Sequence, residues 1–300
     1  MSGRAAGVFW IVLSAAGFGV MAIFAKLAYR DGVPLSTMLF LRFAIAGVLL
    51  ALLGQWRGMR WPHGRDLLLL AAMGAVGYVG QAYCYFTALQ FASAGLVALL
   101  LYLYPAIVTV LSAVLFRRRI GRGRVVAVAV ALLGMALAVG GDLHSQPTGV
   151  VLGVGAALIY SGYILVGERV MPRVGSMPAA TVVMLAAATV YGIAAMRSGV
   201  VLPQSATGWF AVLAIAVLST LVAIVGFFKG LEKLGAADAS TLSTLEPVVT
   251  IVVAAAVLGE SVTTQQLLGG AMILAVVVYL SRRAPMASPD LPHGRAPPAS

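Results

Sequence analysis

Charge is what this chain has least of. Asp, Glu, Lys and Arg make up 10% of its 300 residues, against the ~25% usual in soluble domains. With 61% hydrophobic residues and a mean hydropathy of +1.02, it lacks the polar surface needed to face water. Acids are scarcest, 9 against 20 basic residues, for a net charge of +11. The basic residues are scattered between apolar segments rather than gathered on one face, which argues against a nucleic-acid partner. The single cysteine, Cys84, excludes an intrachain disulfide and reads as a buried thiol. His63, His144 and His293 fall in predicted loops or the tail, without metal-ligand spacing. No Gly-rich phosphate loop ends in Lys-Ser/Thr, so ATP-driven transport has no support. No Ser/His/Asp or Cys/His arrangement suggests an enzyme. No catalytic residue, metal or cofactor is expected.

What the chain does have is long apolar runs. They predict helices at 7–29, 36–54, 66–89, 93–115, 122–140, 148–170, 178–197, 207–230, 236–258 and 264–281. Runs of ~20 apolar residues cross the hydrocarbon core of a bilayer, and the 34 glycines suit closely packed membrane helices. The fold class expected is therefore all-α integral membrane, with ten transmembrane helices. The first run exceeds a signal-peptide core in length and is repeated internally, so it reads as retained. After Arg283 five prolines crowd a polar tail, 284–300, which is expected to be disordered and cytoplasmic.

The chain repeats itself. Pro105 and Pro247 stand 142 residues apart, and the same offset pairs Phe86 with Phe228, Leu89 with Leu231, Phe18 with Tyr160 and Lys26 with Glu168. Two repeats follow, 1–141 and 142–283, each with five helices. Arginine and lysine set their orientation. Arg4, Arg57, Arg60, Arg65, the Arg117–Arg119 run, Arg173 and Arg282 all fall on one side, while the other keeps little beyond Arg30 and Arg197. The positive-inside rule puts both termini in the cytoplasm. An odd number of helices per repeat makes the repeats antiparallel. The charges agree: the arginine run ending the fourth helix becomes Gly259-Glu260-Ser261 at the end of the ninth. Inverted repeats are a transporter architecture.

Phe18-Gly19, Lys26, Glu246-Pro247 and Leu258-Gly259-Glu260 together resemble the EamA-like branch of the drug/metabolite transporter superfamily, over residues 7–281. Its members carry an aromatic-Gly pair in the first helix of each half, and a mid-helix proline followed by Gly-Glu in the fourth. The first half departs from this, with Tyr104-Pro105 and Phe116-Arg117-Arg118 in place of the acidic pairs. The resemblance implies a multi-pass protein of the bacterial inner membrane that exports amino acids or related metabolites, aromatic amino-acid exporters being one branch.

The candidate site residues lie near mid-membrane. Glu246 sits in the ninth helix, where an unpartnered carboxylate is costly, and shares a face with Ser243. It either serves a substrate amine or a proton, or is a structural acid bonded to nearby hydroxyls and broken backbone. Arg42 either holds a substrate carboxylate or snorkels as an anchor. Lys26, nearer its helix end, reads as an anchor. Tyr78, Gln81 and Tyr85 share a face of the third helix; Tyr102 and Tyr104 precede Pro105, and Tyr160 and Tyr163 lie in the sixth. Mid-membrane tyrosine is unusual, because tyrosine favours the interfaces. The set either lines a cavity for an amphipathic solute or packs helices with its hydroxyls satisfied. Pro105 and Pro247 are the expected hinges.

These readings make the chain a secondary transporter exporting small metabolites, with hydrophobic or aromatic amino acids favoured, by alternating access at a midplane cavity. Its expected partners are the lipid bilayer and a small-molecule substrate, and it would act as a monomer or weak homodimer. One alternative is proton-coupled efflux of lipophilic cations through Glu246; another is a non-transporting membrane enzyme or scaffold.

Overall fold

The computed structural model describes residues 3–115, 121–142, 145–234, 239 and 242–282. Arg117–Arg119, part of the predicted ninth helix and the Pro-rich tail lie outside the described residues. The described chain folds into ten helical rods. They are α1 (Arg4–Arg30), α2 (Leu35–Trp56), α3 (Gly64–Ala88), α4 (Ala94–Leu115), α5 (Arg122–Gly141), α6 (Pro147–Val174), α7 (Ser176–Ser198), α8 (Ala206–Leu234), α9 (Leu245–Leu258) and α10 (Thr264–Arg282). The first eight are long and apolar enough to cross a membrane; α9 and α10 are apolar but shorter. Large apolar side chains such as Leu68, Val76, Val151 and Phe210 face outward, a surface that hydrocarbon solvates and water does not. The chain is an all-α integral membrane protein.

The rods break where the sequence cannot continue them. Tyr102 and Leu103 form a turn just before Pro105, and Thr244 a turn just before Glu246-Pro247. Proline offers no N–H to the preceding turn, which loosens the helix there. The two breaks keep the 142-residue register of the prolines. α1 is interrupted once, at Val20, after Phe18-Gly19. Three further irregularities were not legible in the sequence: π-helical segments within α3 (Met73–Tyr78), α8 (Val217–Val222) and α9 (Ala254–Leu258). Such segments widen the helix by one residue and occur often at functional sites.

The packing follows a simple rule. α2 lies against α7, α5 against α10, and α4 against α9; α1 packs on α8 and α9, while α6 packs on α3 and α4; α2 also meets α8, as α7 meets α3. Shifting every helix number by five returns the same set of pairs, the pattern expected of two related five-helix halves. Small residues bring the backbones together, as where Gly134 of α5 faces Gly269 of α10. At the α1–α9 crossing, a Cβ on Gly19 would lie 2.8 Å from Glu246 O and 2.8 Å from Val249 Cβ. A main-chain oxygen has nowhere to retreat. Gly19→Val is therefore expected to cost about 1–3 kcal/mol, read as a lowered unfolding midpoint of the detergent-solubilised protein.

Candidate functional site

The break in α9 creates a polar point inside the bundle. In an unbroken helix Ser243 O would accept from the N–H of residue 247, and Pro247 has none. Tyr102, in the matching break of α4, supplies the replacement. Its hydroxyl lies 2.6 Å from Ser243 O and 2.9 Å from Glu246 Oε2, so its one hydrogen is shared between them. The Ser243 hydroxyl turns back to Ala239 O at 2.9 Å. Ser243 thus contributes its carbonyl rather than its side chain. Thr250 bonds Gly19 O at 2.8 Å and ties α9 to α1 instead of facing the site.

From Tyr102 an arc of aromatic rings crosses the bundle. Tyr102 meets Tyr104 edge-on at 6.0 Å, Tyr104 meets Tyr160 at 5.1 Å, and Tyr160 stacks on Tyr163 at 6.0 Å. The arc continues to Tyr78 at 5.7 Å and Phe43 at 5.4 Å. Glu246 stands at one end and Arg42 at the other, and Tyr85 lies within electrostatic reach of both. Tyr78, Tyr104, Tyr160, Tyr163 and Glu246 each keep part of their surface uncovered. The hydroxyls of Tyr85, Tyr104, Tyr160 and Tyr163 have no hydrogen-bond partner among the described residues. Packing tyrosines in the same bundle behave differently: Tyr29 bonds Phe86 O and Tyr191 bonds Val79 O, both at 2.9 Å. Gln81 is buried, likewise without a partner among the described residues.

Arg42 is 3% exposed, the only charged side chain among the described residues that is fully buried. The snorkelling reading therefore fails: α2 turns this position toward α3 and α8, away from lipid and the interface. Its Nε donates to Thr220 Oγ1 at 3.0 Å, and Nη2 reaches the Tyr78 hydroxyl at 3.4 Å. The rings of Phe43 and Phe86 lie 4.8 and 5.1 Å from Cζ. No carboxylate among the described residues pairs with it.

A second polar cluster closes one end of the bundle. Lys26 is not an anchor either. Its Nζ lies 2.9 Å from Glu260 Oε1 and donates to Ala92 O at 2.9 Å. Both Glu260 oxygens also accept from Ala94 N, at 3.0 and 2.9 Å, at the start of α4. Beside them the Ser93 hydroxyl donates to Asp142, and Gln146 N reaches Phe91 O at 2.8 Å. Asp31 ties the end of α1 to the start of α8 through Gln204 N at 2.8 Å. The Ser205 side chain, aided by the Gln204 and Ser205 N–H groups, holds the Asp31 carboxyl below its ordinary range. The Lys26–Glu260 contact had a signal in the sequence, since opposite charges sit at helix ends assigned to one side. The contact of Thr220 with Arg42 had none.

Broken helices meeting around a ring-lined site with one acid and one buried cation define a membrane transport protein. The chain belongs to the EamA-like transporter family, which matches it twice, over residues 5–140 and 147–282. The two matches begin 142 residues apart, the spacing of the two prolines. It is 26% identical to the uncharacterized transporter YcbK of Bacillus subtilis, over 93% of this chain and 94% of that one. It is 27% identical to a probable terminal-alkyne amino-acid exporter of Streptantibioticus cattleyicolor, over 84% and 86% of the two chains. The threonine/homoserine exporter RhtA of Escherichia coli is 29% identical, over 85% of this chain and 88% of its own. A crystal structure of a protein at 23% identity shares the fold, with a TM-score of 0.65 over 93% of this chain and 98% of the other. The family is one of transporters and not of enzymes, as the sequence led us to expect. Among the described residues no group of three or more His, Cys, Asp or Glu could hold a metal.

Proposed function

We propose that the protein is a secondary transporter of the bacterial inner membrane that exports small metabolites, foremost hydrophobic and aromatic amino acids. Ten spans, arranged as inverted repeats over 1–141 and 142–283 with both termini cytoplasmic, would carry it. The observation behind this reading is the aromatic arc, in which the three open hydroxyls of Tyr104, Tyr160 and Tyr163 lie between the partly covered acid Glu246 and the buried cation Arg42. Rings offer an apolar solute a stacking surface and their hydroxyls fix its polar atoms. Glu246 receives the ammonium group, and Gln81, Tyr85 and the Ser243 carbonyl lie on the elements that frame it. Two amino-acid exporters among the relatives point the same way.

Alternating access would rock the halves about this site, with α4 and α9 yielding at their breaks beside Pro105 and Pro247. The ties around Glu260 close the end that the charge bias places outside, so they must part for release. A buried guanidinium within the arc weighs against lipophilic cations, which it would repel. Counterflow in proteoliposomes tests the reading. Vesicles preloaded with phenylalanine, leucine or threonine should take up the labelled solute saturably; flat traces across the amino-acid panel would sink it.

A further inference from the structure

Arg42 stands out from every other charge among the described residues. It is buried and fixed in place, and its charge is not neutralised by any described residue. Two ring faces and two hydroxyls hold it, and these orient a guanidinium without cancelling its charge. Leaving a cation desolvated in this way is costly. The site is also built with care. Both hydroxyl partners come from π-helical segments, Tyr78 at the end of the one in α3 and Thr220 within the one in α8. The Thr220 hydroxyl donates to Ile215 O at 2.8 Å, which leaves its lone pair facing Arg42 Nε. With Nε engaged and Nη2 only distantly so, Nη1 has no hydrogen-bond partner among the described residues, and the outer fork keeps hydrogens to donate.

We propose that Arg42 is the anion receptor of the transport site, and that its ligand is the single carboxylate of the cargo. The assignment rests on the export reading above and narrows it: cargo must carry a free carboxylate as well as an apolar body. A guanidinium fork matches a carboxylate bidentately. One fully buried cation balances one negative charge, so a monoanionic group fits and a phosphate dianion would be left half neutralised. With the arc leading from Arg42 to Glu246, a zwitterion meets an opposite charge at each end. Tyr78 and Thr220 act as positioning residues that aim the fork.

Two arms test this on the full chain. In counterflow with labelled phenylalanine, the unlabelled amino acid should compete at least about tenfold better than phenylalanine amide or phenethylamine, which lack the carboxylate. Arg42→Gln should erase that preference and Arg42→Lys should keep part of it. Equal competition by acid and amide in the unaltered protein would overturn the proposal, as would a preference that survives Arg42→Gln. The second arm needs no transport. Phenylacetate should raise the unfolding midpoint of the solubilised protein, phenylacetamide should not, and Arg42→Gln should remove the shift. A carboxylate-specific shift with flat counterflow would retain the receptor and discard amino-acid export. Identical shifts from acid and amide would discard the receptor even if amino acids are carried. Should Arg42→Gln fail to fold, Arg42→Lys and Thr220→Val carry both arms, each expected to weaken the preference several-fold. An unchanged preference in both would overturn the assignment.

Discussion

Glu246→Gln should lower counterflow of an amino-acid substrate by about tenfold to a hundredfold while leaving the protein folded. The magnitude is that of one charge-assisted hydrogen bond to an ammonium group, about 1.5–3 kcal/mol. Folding should survive because the glutamine amide oxygen still accepts from Tyr102, and the Tyr102–Ser243 contact at 2.6 Å does not involve the carboxylate. Glu246→Ala removes the acceptor as well and should also lower the unfolding midpoint. Measuring initial counterflow rates beside thermal unfolding of all three proteins separates the two effects. A Glu246→Gln protein that keeps full counterflow but no longer responds to a pH gradient would make Glu246 a proton-coupling group and not a contact for cargo. Full activity under both conditions would reduce it to a structural acid.

The second large effect concerns the closed end. Glu260→Gln should loosen it by about 2 kcal/mol, less than the ~3–5 kcal/mol of fully buried pairs, because the Lys26 and Glu260 side chains keep 20% and 15% of their exposure. Such a loss shifts a two-state equilibrium roughly thirtyfold. Spin labels on Gln90 and Ser261, both exposed, in a Cys84→Ser background would report a longer separation. Exchanging the charges, Lys26→Glu with Glu260→Lys, restores the ion pair yet should not restore closure. Glu260 also accepts the Ala94 N–H at the start of α4, and an ammonium placed there meets a donor and the positive end of a helix dipole. Full recovery by the exchange would show that the ion pair alone holds the end shut.

Much of this was written in the sequence. Nine of the ten apolar runs set their helices to within a few residues, the ninth lying partly outside the described residues, because hydrocarbon demands that every backbone group be satisfied within its own segment. Pro105 and Pro247 marked the two breaks for a local reason, the missing N–H. Glu246 and the tyrosines declared themselves by being polar where polarity is expensive. Other matters were decided only by tertiary packing. The sequence left Arg42 between a snorkelling anchor and a carboxylate receptor, since a side chain's direction around a helix that is apolar all round has no periodic signal. The meeting of α2 with the π segments of α3 and α8 turned it inward. Lys26 likewise looked like an anchor until the chain brought Glu260 to it from 234 residues away. The sequence by itself determined which residues must enter the membrane and where their helices must yield. Which polar groups face one another across it was settled by the packing of distant helices, because a charge in hydrocarbon is placed by whatever partner the fold can bring within reach.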